Sequence, residues 1–310
     1  MNGFYPEGWN VGNKKYCYTL SQLSEAKNLK TVLESPVTMC DAAHNLVVDL
    51  GCMKGVIPRA EGAIGISDGT TRDIALISRV GKPVCFIIDN IETDKNGNPF
   101  ALLSRKKAQE LCRNSIMNSS HSGDIVEAKI THLESFGAFC DIGCGNIALL
   151  PIDSISVSRI SHPKDRFYVG ENIRAVIKSI ADDGKITLSH KELLGTWEEN
   201  AGMFTAGQTV TGVIRSVENY GIFVEITPNL AGLAEPKAGI RPGQQASVFI
   251  KNILPEKMKV KLAIIEAFDD PLPQSVFRYR QQNGHISRWR YSPAECKRVI
   301  ETVFDEETAE

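Results

Sequence analysis

The 310 residues hold no apolar run near the roughly 20 positions that a membrane-crossing helix requires, which excludes such a helix from this sequence. Met1 to Asn13 are polar and broken by Pro6 and three glycines, so they lack the apolar centre of a secretory signal. The chain reads as soluble and cytoplasmic, with no membrane partner. Its eight cysteines include no Cys-x-x-Cys pair. Cys140 and Cys144 stand nearest to each other, but no second Cys or His pair has the spacing of a zinc site, so no metal is expected and the thiols read as reduced and structural. No Gly-x-x-x-x-Gly-Lys phosphate loop is present, and the pattern below leaves no room for a separate catalytic domain; neither a catalytic residue nor a cofactor is expected. Basic charge is also in short supply: 35 Lys and Arg stand against 37 Asp and Glu, a formal net charge of −2. Phosphate attraction supplies most non-specific affinity for nucleic acid, so a nucleic-acid ligand would need cations gathered locally.

What is present is a repeat. Phe136-Gly137-Ala138-Phe139-Cys140-Asp141-Ile142 returns as Tyr220-Gly221-Ile222-Phe223-Val224-Glu225-Ile226, and a Ser122-Gly123 or Ala206-Gly207 start precedes each copy. Ala138, Cys140 and Ile142 alternate strictly, as do Ile222, Val224 and Ile226, which is the period of a half-buried strand. Phe139 and Phe223 then point outward, where a core has no use for them and a nucleobase is the obvious partner. Packing on the barrel surface or against a neighbouring module is the competing reading.

Around the first motif, Val126, Ala128 and Ile130 predict a preceding strand and Ala148-Leu149-Leu150 a following one. A polar loop over 153–168 carries Arg159, His162, Lys164 and Arg166, with Asp153 and Asp165 flanking them. Ile173, Ala175 and Ile177 predict a fourth strand, Asp182-Asp183-Gly184 a tight turn, and Ile186 and Leu188 a fifth. Five short strands with a long connection after the third describe an OB-type barrel. The same template fits Val210 to Leu262 with its long connection shortened, and, more faintly, Leu46, Val48 and Leu50, Val56-Ile57-Pro58, Val84, Phe86 and Ile88, and Leu103. In that first copy His44 and Val47 take the slots of Phe136 and Phe139. His132 and His190 read as surface residues of strands.

The expected fold is therefore mainly β: three tandem five-stranded OB-fold barrels, the first degenerate, with short helical linkers and a short C-terminal helix. The segments are 1–35, with a helix over 20–34 stopped by Pro36; 36–118, repeat one; 119–204, repeat two and its linker; 205–268, repeat three; and 269–310, a basic, aromatic tail. Linkers over Arg105–Met117 and Glu192–Phe204 predict a loose string of barrels. In the tail, Ser292-Pro293-Ala294-Glu295 predicts a capped helix with Val299, Ile300 and Phe304 on its apolar face. Two readings of the tail stand: docking on the third barrel through Trp289 and Phe304, or an Arg and aromatic platform for RNA.

The Phe-Gly-Ala-Phe-Cys-Asp-Ile-Gly segment, the Gly-Lys-Ile-Thr-Leu-Ser-His-Lys ending and the Tyr-Gly-Ile-Phe-Val-Glu-Ile copy resemble the "S-one" RNA-binding repeat strung along the largest ribosomal protein of the bacterial small subunit. The resemblance covers about residues 36 to 265, and the modest number of repeats suggests a shortened or divergent relative. Repeat one is similar to that family's N-terminal modules through Asn45–Gly51 and Leu102–Ala108. The resemblance implies attachment to the small ribosomal subunit through repeat one and binding of single-stranded RNA, messenger RNA in particular, by repeats two and three in translation. The RNA-binding residues it implies are Phe136, Phe139 and Lys185, with Lys129 and Lys178 flanking them, and Tyr220, Phe223, Lys259 and Lys261. A non-ribosomal RNA-binding regulator, or an accessory to RNA decay, is the alternative. Pro151 after the third strand of repeat two and the shortened connection of repeat three depart from the family pattern.

Overall fold

The computed structural model describes residues 4–9, 16–270 and 277–305; residues 1–3, 10–15, 271–276 and 306–310, within the expected N-terminal segment and tail, lie outside the described residues. Alternating apolar positions build three closed barrels among the described residues. The first comprises β1 (Leu33–Cys40), β2 (Leu46–Asp49), β3 (Lys54–Ile57), β4 (Pro83–Thr93) and β5 (Pro99–Ser104). The second comprises β6 (Ile125–Glu134), β7 (Gly137–Asp141), β8 (Ile147–Pro151), β9 (Asn172–Ile180) and β10 (Ile186–Ser189). The third comprises β11 (Thr209–Glu218), β12 (Gly221–Thr227), β13 (Leu230–Ala234), β14 (Gln245–Leu254) and β15 (Lys259–Phe268). Each runs first, second, third, fifth, fourth around the barrel, with the third and fifth strands parallel. Closure leaves no strand edge open to pairing.

The inward positions are those the alternation marks. Leu46, Val48, Val84, Phe86 and Leu103 are fully buried in the first barrel, and Ala128, Ala138, Cys140, Leu150, Ala175, Ile177 and Leu188 in the second. The third buries Ile214, Ile222, Val224, Val248 and Ile250.

Three expectations about elements and one about a residue, His190, need correction. The first helix spans Leu20–Leu29 and ends where Lys30 turns left-handed at φ 51°. The next residues enter β1, the strand that the alternation of repeat one did not mark. Pro36 lies inside β1 opposite Pro83, at the last pair of the β1–β4 ladder, where neither missing N–H breaks an interior hydrogen bond.

Second, among the described residues the tail forms no helix after Ser292. Arg288–Arg290 (β16) and Glu301–Val303 (β17) pair antiparallel. Ser292 Oγ, which would cap a helix, instead accepts the N–H of Ile300 at 2.8 Å, and the β-branched run over 299–303 favours extended backbone.

Third, barrels two and three are not a loose string. The chain divides into two compact units, Met1–Ser120 with 127–129 and 141–147, and the remainder. In the second unit, linker residues Leu193 and Trp197 and tail residues Trp289 and Tyr291 are buried in one cluster with Ile214, Val224 and Val248. The linker is helical at Lys191–Leu194 and Trp197–Ala201. His190, expected on the surface, is fully buried among Phe167, Phe277 and Tyr279, with ring centroids 4.8–5.5 Å away. Its Nδ1 meets Ile155 O at 3.1 Å and its Nε2 the Tyr279 hydroxyl at 3.2 Å. Burial pulls its pKa down to about 4, leaving a neutral ring.

Candidate nucleic-acid interface

In a closed sheet, residues opposite one another on neighbouring strands project to the same face. In the third barrel one such row runs Ser216, Phe223, Leu233, Lys261, Asn252. The row of the first barrel is Met39, Val47, Val56, Leu102, Asn90. Register therefore puts Val47 in the slot of Phe223 and Leu102 in that of Lys261, leaving this row largely aliphatic and without a ring. The second barrel contributes Leu149, Thr187 and Ser179 to the same row.

On this face the aromatic pairs have nearly the same geometry twice. Phe136 and Phe139 lie edge to face with centroids 6.0 Å apart at 88°, and Tyr220 and Phe223 6.2 Å apart at 86°. Phe136 is 55% and Tyr220 68% exposed. The edge-to-face contact satisfies the ring quadrupoles while leaving broad π faces open to a ligand. The glycine between the rings is required by close approach. A Cβ on Gly137 would stand 2.6 Å from Leu150 O, and one on Gly221 2.7 Å from Ala234 O.

The lysines divide. Lys259 and Lys261 are exposed on β15. Lys185 is 85% exposed, with Nζ 2.5 Å from Asp183 Oδ2 in its own turn; such an exposed pair is weak in water and easily exchanged for a phosphate. Lys178 donates to Ser154 Oγ at 3.2 Å. Lys129 is not brought to the rings as an available cation: its Nζ donates to Gly8 O at 2.8 Å and Glu7 O at 3.2 Å.

Two features escaped the sequence reading. His132 stands beside Phe139 with centroids 6.5 Å apart, adding a third ring to the second barrel. The offset between the two motifs aligns His132 with Ser216, which is the signal that could have found it. The other is how the 153–168 loop, marked in the sequence only as polar and basic, is anchored. Arg166 is buried against the Glu225 carboxylate, so this member of the expected basic cluster is structural, whereas Arg159 and Lys164 face solvent. The loop is pinned further by the Val157 N–H donating to Asn229 Oδ1 at 2.9 Å, and by Arg215 held between Glu225 at 3.0 Å and Asp165 at 3.9 Å.

Of the two readings of the tail, docking is what the geometry displays: Trp289 and Tyr291 are buried, and the Tyr291 hydroxyl donates to Asn229 O. Gly65-Ile66-Ser67-Asp68-Gly69 spell the hydrolase nucleophile motif, yet they lie in a run of turns and not at a strand-to-helix elbow. Ser67 Oγ approaches Ala60 O at 3.4 Å. Among the described residues no group of His, Cys, Asp and Glu is arranged to hold a metal, and no helix is long and apolar enough to cross a membrane.

Fold and face together define a tandem OB-barrel protein with paired outward rings, and residues 120–191 match the S1 RNA binding domain family. Over most of its length the chain is similar to the small ribosomal subunit protein bS1. It is 30% identical to that of Staphylococcus epidermidis over 259 residues, covering 78% of this chain and 63% of the relative. With that of Staphylococcus aureus strain COL the identity is 30% over 268 residues, covering 81% and 64%. The chain thus spans somewhat under two thirds of the length of these relatives. A solved multidomain protein with nucleic acid binding domains from Streptococcus pneumoniae is 12% identical, covering 78% of this chain and 75% of that one, at a TM-score of 0.25.

Proposed function

We propose that barrels two and three hold single-stranded RNA, messenger RNA at the small ribosomal subunit, and so act in cytoplasmic translation as a binding protein without catalysis. The observation that carries this reading is the duplicated ring pair, Phe136 with Phe139 and Tyr220 with Phe223, at matching separations and angles. Lys185, in the turn before β10, and Lys259 and Lys261, on β15, stand exposed. Stacking accepts any base, and phosphate contact reads no base, so binding tolerates sequence and weakens steeply with salt. Similarity to bS1 over most of the chain supports the ribosomal setting. The ring-free row of the first barrel suits a protein contact, and we assign attachment to that barrel.

Filter binding to single-stranded RNA tests the stacking. Removing both rings in the Phe139→Ala, Phe223→Ala double variant should lower affinity by about 30-fold or more, at about 1–3 kcal/mol per stacked base; undiminished affinity refutes the role. Co-sedimentation with small subunits at low salt tests the setting, and its absence would favour a role away from the ribosome.

A further inference from the structure

A cleft of about 460 Å³ opens in the second unit, and it is built from two barrels. Tyr220 and Phe223 of the third barrel line it together with Ser158, Arg159 and Ser161 from the 153–168 loop of the second, and Glu218 stands at its border. The volume falls within the range of about 300–1,000 Å³ typical of small-ligand sites. The third barrel's own connection after β13, Glu235 to Gln244, is short; the preceding barrel's long loop supplies the wall instead. That wall is rigid, because Arg166, Val157 and Asp165 tie the loop to Glu225, Asn229 and Arg215.

The polar groups of the cleft differ in what they are committed to. Arg215 is held by carboxylates, whereas Arg159 is exposed. Ser158 lines the wall with its Oγ turned out of reach of solvent, so Arg159 is the cation the loop offers to a ligand. Glu218, an acceptor only, repels phosphate from its side.

Resting on the RNA-binding reading above, we propose that this cleft is a single-nucleotide pocket of the RNA path. The base lies against Phe223 and Tyr220, and the phosphate of the same nucleotide meets the Arg159 guanidinium from the preceding barrel. Barrels two and three then form one continuous binding surface in which a loop of one finishes the site of the other.

Fluorescence anisotropy of the full chain with a labelled single-stranded RNA, titrated across a salt series, tests this. Arg159→Ala should weaken binding several-fold and make the slope of log affinity against log salt shallower by about 0.7, the value for one phosphate on a single strand. Arg159→Lys should restore the slope. In a double-mutant cycle, Arg159→Ala should add little to Phe223→Ala but act in full on Phe139→Ala, since only Phe223 shares its nucleotide. An Arg159→Ala effect that is absent, or additive with both ring variants, overturns the pocket while leaving RNA binding by the rings intact. If Phe223→Ala itself binds normally, the underlying reading fails and the pocket falls with it.

Discussion

At the scale of single residues, the outward face is decided by who occupies a few register positions. Val47, Phe139 and Phe223 sit on equivalent second strands, and only two of them carry a ring. His132 and Ser216 repeat the contrast on the first strand of their barrels, since His132 adds its imidazole beside Phe139 and Ser216 has none. His132→Ala should therefore lower affinity for single-stranded RNA by about 1 kcal/mol, near fivefold, the low end for a stacking group. Ser216→His should raise it, and the same binding titration reads both. Outward aromatics were legible in the sequence because a strand alternates strictly and a ring on the solvent side has no structural reason. Charge partners were not. Lys129 looks like any other strand lysine until the carbonyls of Glu7 and Gly8 are seen on its ammonium, and these lie far away in sequence. Arg166 was hidden in the same way, as its carboxylate partner Glu225 belongs to the next repeat.

At the scale of elements, local pattern proved sufficient wherever a segment closes its own hydrogen bonds and insufficient wherever a distant segment competes. Period-two alternation, with the repeat template supplying short runs such as Ala148-Leu149-Leu150, marks the barrel strands except β1, since Pro36 reads as a stop unless its partner Pro83 is known. The tail fails similarly: Ser292 has the makings of a helix cap, and the third barrel offers Trp289 and Tyr291 a burial site that a strand pair reaches better. Its attachment also depends on charge. His285 lies between Asp124 at 2.8 Å and Asp305 at 3.0 Å, and hydrogen bonds to these carboxylates, Asp124 foremost, raise its pKa above the ordinary histidine value. Protonated His285 thus stabilises the docked tail fully below pH about 6.5, and this contribution disappears as pH rises through the raised value. Amide hydrogen exchange over 284–305 should accelerate on going from pH 6 to pH 9, after correction for intrinsic rate, more in the native chain than in His285→Gln. Equal acceleration in both would remove this histidine from the account.

At the scale of the whole molecule, the second and third barrels share a core and a buried ion pair, so their stabilities are linked. Removing one partner of a buried pair strands the other charge, at about 3–5 kcal/mol. Glu225→Gln, which leaves the Arg166 guanidinium uncompensated, should lower the calorimetric transition of the second unit while the first unit melts as before; a change confined to the third barrel would contradict a shared core. The tail carries a further consequence. Trp289 and Tyr291 pack into one cluster with the core residues of the third barrel, and Gly284 O accepts the N–H of Ile125 at the start of the second. During synthesis, then, neither barrel reaches its final packing until the ribosome has translated almost to position 305. A chain that stops before Trp289 and Tyr291 would leave the apolar surface they cover open to water, and such an uncovered patch invites aggregation.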